Sequence, residues 1–295
     1  KMQKACKEGR KDIIDLMILN NDYNYNIGLA GACEGGHIEL VELMLSLGAK
    51  NYNDGLYYAC EGGHLEIIKM MLNKGVKGMN WGLANACKGG HLEIVKMMLS
   101  LGANDYNLGL YYACEGGHNE FVKMMIDLGA NDYNWGLRGA CSGGHLEIVK
   151  MMLEIGADDN WGLVYACEEG HLEIVKMMLD LGANDYNYGL LWACRGGHLN
   201  IIKMMLDLGA NDYNEGLYGA CKGGHLELIN MMFELGADNY NYLLKGNLTL
   251  KILYVRLTRN VIVLPIKTEH PEYHLLKVYN KKVPDINRLI NKYLF

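Results

Sequence analysis

"GGHLEIVKMMLSLGANDYN", residues 89–107, decides the fold, because lightly edited copies of it stand on both sides. The copies keep register with Cys6, Cys33, Cys60, Cys87, Cys114, Cys141, Cys167, Cys194 and Cys221. Every gap between these cysteines is 27 residues, except one of 26 between Cys141 and Cys167. A fixed period of this size marks a stacked array, in which one unit cannot bury its apolar face alone and neighbours complete a continuous core. Two helices fit within the period. The first is expected from about Trp81 to Lys88, behind Asn80 as N-cap, with Asn26, Asn53, Asn107, Asn134, Asn160, Asn187 and Asn214 as its equivalents. Gly90 is expected to stop it in the left-handed conformation, since the glycine before it gives way to Glu169 in one copy. His91 then opens the second helix, with Glu93 in its first turn. Gly102 closes it, ahead of a short loop through Asn104, Asp105 and Tyr106. The loop tyrosines, such as Tyr106 and Tyr133, read as packing.

Comparison of the copies separates scaffold from variable surface. Gly82, Leu83, Ala86, Cys87 and Gly90 have identical counterparts in all eight complete starts. On a helical wheel Leu83, Ala86 and Cys87 form one stripe, which is core, and positions 81, 84, 85 and 88 form the opposite face. Those four positions change from copy to copy. Position 81 runs Ile27, Asp54, Trp81, Leu108, Trp135, Trp161, Tyr188, Glu215. The pair at 84 and 85 includes Ala30 with Gly31, Tyr57 with Tyr58, Ala84 with Asn85, Tyr111 with Tyr112, and Arg138 with Gly139. It continues with Val164 and Tyr165, Leu191 and Trp192, Tyr218 and Gly219. Position 88 runs Glu34, Glu61, Lys88, Glu115, Ser142, Glu168, Arg195, Lys222. Trp and Tyr are the side chains that most often anchor protein interfaces. The candidate binding residues are therefore Tyr57, Tyr58, Trp81, Asn85, Tyr111, Tyr112, Trp135, Arg138, Tyr165, Tyr188, Trp192, Arg195 and Tyr218. Regularly spaced aromatics also serve as packing ladders, and position 81 fits that reading as well. In the second helix Leu92, Val95, Met98 and Leu99 recur at helical spacing and read as core, with Glu93 and Lys96 as a solvated pair.

The motif "GLxxACxGGHLEIVKMMLxLGAN" resembles the ankyrin repeat, with its paired helices around "GHLEIVKLLLxxGA", over roughly residues 1–240. The resemblance implies an all-α ankyrin-repeat solenoid of about nine units, the first partial or capping. It also implies that the short first helices line a concave protein-binding side. Two departures stand out. The family's "TPLH" start is absent, and the unit is about six residues shorter than the usual ~33. The loss falls where a β-hairpin finger normally projects, so fingers are expected to be shortened or absent. Arrays of this short, Asn-Tyr-rich kind are similar to those encoded in many copies by large DNA viruses of protists.

The charge balance divides the chain. Net charge is −6, yet residues 1–240 carry 18 Lys/Arg against 31 Asp/Glu and residues 241–295 carry 10 against 3. An acidic body argues against binding phosphate backbones, so no nucleic-acid role is expected and a protein partner would be basic. No apolar run approaches the ~20 residues that span a bilayer, so no membrane partner is expected. The chain starts at Lys1, which is read as a fragment or trimmed product with upstream repeats missing.

Chemistry is not expected. Cys87 and His91 recur as a pair, but zinc sites combine two distinct close pairs, and a nucleophile needs an oriented base. No catalytic residue, metal or cofactor is assigned, and the protein is expected not to be an enzyme. Equivalent cysteines one helix-packing distance apart, about 8–10 Å, exceed the roughly 7 Å reach of a disulfide. Nine unpaired thiols suit a cytoplasmic location, host cytosol if the protein is viral.

"CKEGRKDIIDLMIL", residues 6–19, reads as a degenerate capping repeat. After Asn241 the repeat is lost. "NLTLKILYVRLTRNVIVLPIK", residues 247–267, fits both a helix and a hairpin, whereas the segments from Pro271 and Pro284 read as helical. The whole tail is expected to be a helical cap. The expected function is a monomeric protein-binding scaffold. Two alternatives are an adaptor whose tail recruits machinery such as a ubiquitin ligase, on the slender basis of Leu264-Pro265, and a structural spacer.

Overall fold

The structure is a computed structural model of the 295-residue chain. It describes residues 1–21, 23–157 and 161–239, and the backbone of 252–257 and 260–265. The chain forms two compact units, Lys1–Asp159 and Asn160–Phe295. The division falls at the single 26-residue gap in the cysteine period.

Among the described residues the first unit is all helix. Its pairs are α1 (Met2–Lys7) with α2 (Lys11–Leu19), α3 (Tyr25–Gly35) with α4 (Ile38–Ser46), and α5 (Tyr52–Gly62) with α6 (Leu65–Leu72). They continue with α7 (Met79–Gly89) and α8 (Leu92–Ser100), α9 (Tyr106–Gly116) and α10 (Asn119–Asp127), and α11 (Tyr133–Gly143) and α12 (Leu146–Glu154). The second unit repeats the plan with α13 (Trp161–Glu169), α14 (Leu172–Asp180), α15 (Tyr186–Gly196), α16 (Leu199–Asp207), α17 (Tyr213–Gly223) and α18 (Leu226–Leu235). Successive first helices lie side by side within each unit, so each repeat closes the core of its neighbour.

Except for α13, which starts at Trp161, the first helices from α3 on start one residue before the asparagine expected to cap them. Asp105, Asp132, Asp185 and Asp212 are the caps, each accepting the backbone N–H three residues on, and Asn24 and Asn51 do the same. Tyr106 and Tyr133 are therefore first helical residues rather than loop residues. The asparagines act elsewhere. Asn107 Oδ1 accepts two backbone N–H groups from the following repeat, Asn131 at 2.8 Å and Asp132 at 3.0 Å. Asn26, Asn80, Asn187 and Asn214 do the same one repeat on. The asparagine staples two repeats at the loop.

Gly90 ends α7 with φ +81°, as the sequence requires. Histidine works across the joint as well. The Nε2 of His91 lies 2.9 Å from the carbonyl oxygen of Glu61, and since a carbonyl only accepts, the ring nitrogen donates. His37, His64, His118, His145, His198 and His225 repeat the bond at 2.8–3.0 Å. The glycine that precedes the left-handed one brings the two backbones together. A Cβ on Gly116 would stand 2.2 Å from the Lys88 carbonyl oxygen, which also receives His118. The one departure is Glu169, at the end of α13. Gly116→Ala is expected to push α7 and α9 apart and lower stability by about 1–3 kcal/mol. A thermal melt checks this, and an unchanged melting temperature would count against the close joint.

Leu83, Ala86 and Cys87 and their counterparts are buried, as the invariant stripe implies. From the second helix Ile94, Val95 and Met98 complete the core, whereas Leu92 and Leu99 are only half-buried. All nine cysteines are buried and none forms a disulfide. No strand is described between a second helix and the next first helix. In the tail, β1 (Ile252–Leu257) and β2 (Asn260–Pro265) pair antiparallel, Leu257 opposite Asn260 and Ile252 opposite Pro265. This part of the expected helical cap is a hairpin. The helices expected from Pro271 and Pro284 lie outside the described residues.

Candidate protein-binding face

The variable positions stand on the side of the first helices away from the core, and the structure grades them. Trp81, Trp161 and Tyr188 are exposed at 43%, 45% and 47%. Tyr57, Tyr58, Asn85, Tyr111, Tyr112, Trp135, Arg138, Tyr165, Trp192 and Tyr218 are half-buried, and Arg195 is exposed. Position 84 lies at the edge of the face, and its smaller occupants Ala30, Ala84 and Val164 are buried with the core, as is Leu108 at position 81. The face is thus narrower than four positions of the wheel imply.

In the first unit its aromatic rings join into a ladder. Trp81 lies 6.0 Å from Tyr57 of the preceding repeat and 6.0 Å edge-on from Tyr112 of the next. Tyr112 meets Tyr111 at 5.2 Å, and Tyr111 meets Trp135 at 5.3 Å. Asn85 donates back to the Trp81 carbonyl at 2.8 Å. Such ring pairs contribute about 0.5–1.5 kcal/mol each beyond burial, so the ladder braces the stack. It also presents ring edges and faces to solvent, so packing and recognition are not alternatives at position 81.

Charges form a parallel row at position 88. Lys88 sits between Glu61 at 3.6 Å and Glu115 at 3.1 Å. Burial works to lower the Lys88 ammonium, but Glu115 and Glu61 together outweigh it and the net direction is up. Burial raises the Tyr112 phenol, with Glu115 adding to it. Lys7 pairs with Glu34 at 2.5 Å. In the second unit Arg195 pairs with Glu168 at 3.3 Å and stacks 4.8 Å from the Trp192 ring, while Lys222 lies 5.5 Å from the Tyr218 ring. Burial pushes the Glu168 carboxyl up against the opposing pull of Arg195. The indole N–H of Trp192 is buried with no acceptor. Sequence reasoning chose the variable residues but missed this row, although opposite signs in adjacent copies at Glu61, Lys88 and Glu115 were the signal for it.

Exposed apolar side chains also recur at the ends of the second helices, Leu101, Leu128 and Ile155 in the first unit and Leu181, Leu208 and Leu235 in the second. These side chains come singly, one per repeat and without ring contacts, which is ordinary protein surface.

Catalytic chemistry finds no foothold in the repeated Cys–His pair. Burial pushes the Cys87 thiol up to about 12, and His91 is spent on the Glu61 carbonyl. Among the described residues no group of three His, Cys, Asp or Glu side chains is placed to hold a metal.

The sequence profile of ankyrin repeats matches in three copies, over residues 2–81, 28–109 and 163–242. The chain belongs to the ankyrin-repeat family. Among solved structures 146 chains match it, including the crystal structure of the human ASB11 ankyrin repeat domain. That domain is 25% identical, with a TM-score of 0.37, over 52% of this chain and 83% of the other. No curated protein matches the sequence. Ankyrin repeats are generally protein–protein interaction modules, typically binding scaffolds without catalysis of their own, and this ankyrin-repeat chain takes that broad assignment. No described helix is long and apolar enough to cross a membrane.

Proposed function

We propose that the array binds a partner protein along the aromatic face of its first helices, the concave side in the family's fold. The observation that carries the reading is the run Tyr57, Trp81, Tyr112, Tyr111 and Trp135, a continuous set of half-exposed rings on the only stripe of the first helix that varies between copies. Scaffold stripes are held constant and buried; this one is changed and left in contact with water. Residues 1–240 form the binding array, and 241–295 form a separate basic segment. The partner is basic, matching the acidic balance of residues 1–240. The array works as a monomer, and nine cysteines without a disulfide suit the cytoplasm.

Dodecapeptides selected from a random display library against the full chain test the reading. Replacing Tyr111 and Tyr112 with Ala is expected to weaken the selected peptides by about 2 kcal/mol or more. It is also expected to lower the melting temperature, because both rings belong to the ladder. Binding that survives this change but is lost when Leu101 and Leu128 become Ala would move the site to the other side of the repeats.

A further inference from the structure

The ladder does not extend to the first repeats. There the face position beside Asp54 is the small Ala30, and a cavity of about 270 Å3 lies here, bounded by Gln3, Ile27, Ala30, Asn51, Asp54 and Tyr58. It is smaller than the ~300–1,000 Å3 typical of small-molecule sites, and it opens on the same face as the ladder. One long side chain suits it better than a separate ligand.

Its polar groups narrow the chemistry. Asn24 and Asn26 also border it, but their carboxamide oxygens are committed, Asn24 to the backbone N–H groups of Asn26 and Ile27, Asn26 to those of Lys50 and Asn51. Asn51 Nδ2 donates to Asp54 Oδ2 at 2.5 Å, and the Asp54 backbone N–H lies 3.5 Å from Asn51 Oδ1. That reciprocal pair fixes the carboxylate in place. Among the described residues no lysine or arginine pairs with Asp54, and the cations of the row on either side are engaged elsewhere, Lys7 with Glu34 and Lys88 with Glu61 and Glu115. The cavity therefore holds one positioned, half-buried negative charge, with the Tyr58 ring and the Ile27 side chain as walls.

We propose that this cavity receives an arginine side chain of the partner, its guanidinium on Asp54 and its aliphatic stem against Ile27 and Tyr58. Arginine fits better than lysine for three reasons. Its planar fork can address a carboxylate and neighbouring oxygens at once, its face stacks on an aromatic ring, and its weaker hydration makes a half-buried site less costly. An aromatic or acidic side chain would leave Asp54 unpaired or repelled. The proposal rests on the reading of the aromatic face as the partner site and adds what the partner must carry.

The selected dodecapeptides supply the probe. Those that depend on Tyr111 and Tyr112 are expected to share an arginine. Asp54→Asn, which keeps an acceptor for Asn51, is expected to weaken them about tenfold. Changing that arginine to citrulline is expected to weaken them equally, and the two losses should not add, as in a double-mutant cycle. Circular dichroism of the Asp54→Asn chain should match the unchanged protein. Peptides that need the tyrosines but are indifferent to both Asp54 and arginine would overturn the cavity assignment and leave the face intact. Arginine coupled to Asp54 in peptides that ignore the tyrosines would uphold the cavity and remove the face. Lysine coupled to Asp54 as strongly as arginine would overturn the choice of guanidinium.

Discussion

Raising the pH from about 8 to about 10.5 is expected to unfold the array. The cause is the column of buried cysteines. In an unfolded chain a thiol ionises near ~8.5. In the folded chain burial pushes Cys33, Cys60, Cys87, Cys114, Cys167 and Cys194 up to about 12. Between these two values the unfolded chain sheds a proton that the folded chain keeps. The folded state therefore binds more protons, and stability falls as pH rises. Below pH ~8.5 the contribution is fully present; it is lost on the way to the folded value, by about 1.4 kcal/mol per pH unit for each thiol. The four such thiols of the first unit together contribute a slope of about 5 kcal/mol per pH unit, which is as large as the whole stability of a marginal domain, about 5–15 kcal/mol. Far-UV circular dichroism with urea melts at each pH gives the slope. Changing Cys87 and Cys114 to Ala is expected to reduce it by about half, even though the baseline stability also drops. A slope unaffected by the two changes would place the alkaline transition with the tyrosines or lysines instead.

Leu110→Ala is expected to cost about 2–5 kcal/mol, the usual range for a fully buried leucine cut to a methyl group. Leu110 has no exposed surface, and its branch lies against Gly136 of the next repeat, so the void opens at a joint rather than inside one unit. Stability in a stack is close to a sum of unit and nearest-neighbour terms. The loss should therefore appear as faster amide exchange in α9 and α11 and fade further along the stack. Uniformly faster exchange along the first unit would mean that it unfolds as one block.

The fold was readable because its scaffold is written as identity. Leu83, Ala86, Cys87 and Gly90 recur without change, and core burial and a left-handed glycine each admit few residue types. Asn80 misled because an asparagine near a helix start has two physical uses. It can cap its own helix or reach the next loop, and residue type does not separate them. The true caps were visible two residues upstream, in the aspartate of "NDYN" at Asp105, Asp132, Asp185 and Asp212. Within the candidate site, which positions vary was legible; how they meet was not. Half-burial of Tyr57 and burial of Leu108 depend on which ring the adjacent copy supplies, a pairing a single wheel does not contain. Asp54 was passed over for the same reason, since its cavity is lined in part by Ala30, one repeat earlier.

The joints within a unit share a histidine on a carbonyl and a glycine where the backbones touch, and several add an asparagine on a loop. A link of this kind carries no memory of its place in the series. Unequal recombination can duplicate or excise a link and leave both cut ends compatible. An organism holding such a gene can lengthen its product or re-edit the displayed residues without redesigning the fold, and the succession of side chains along the face then behaves as an interchangeable text.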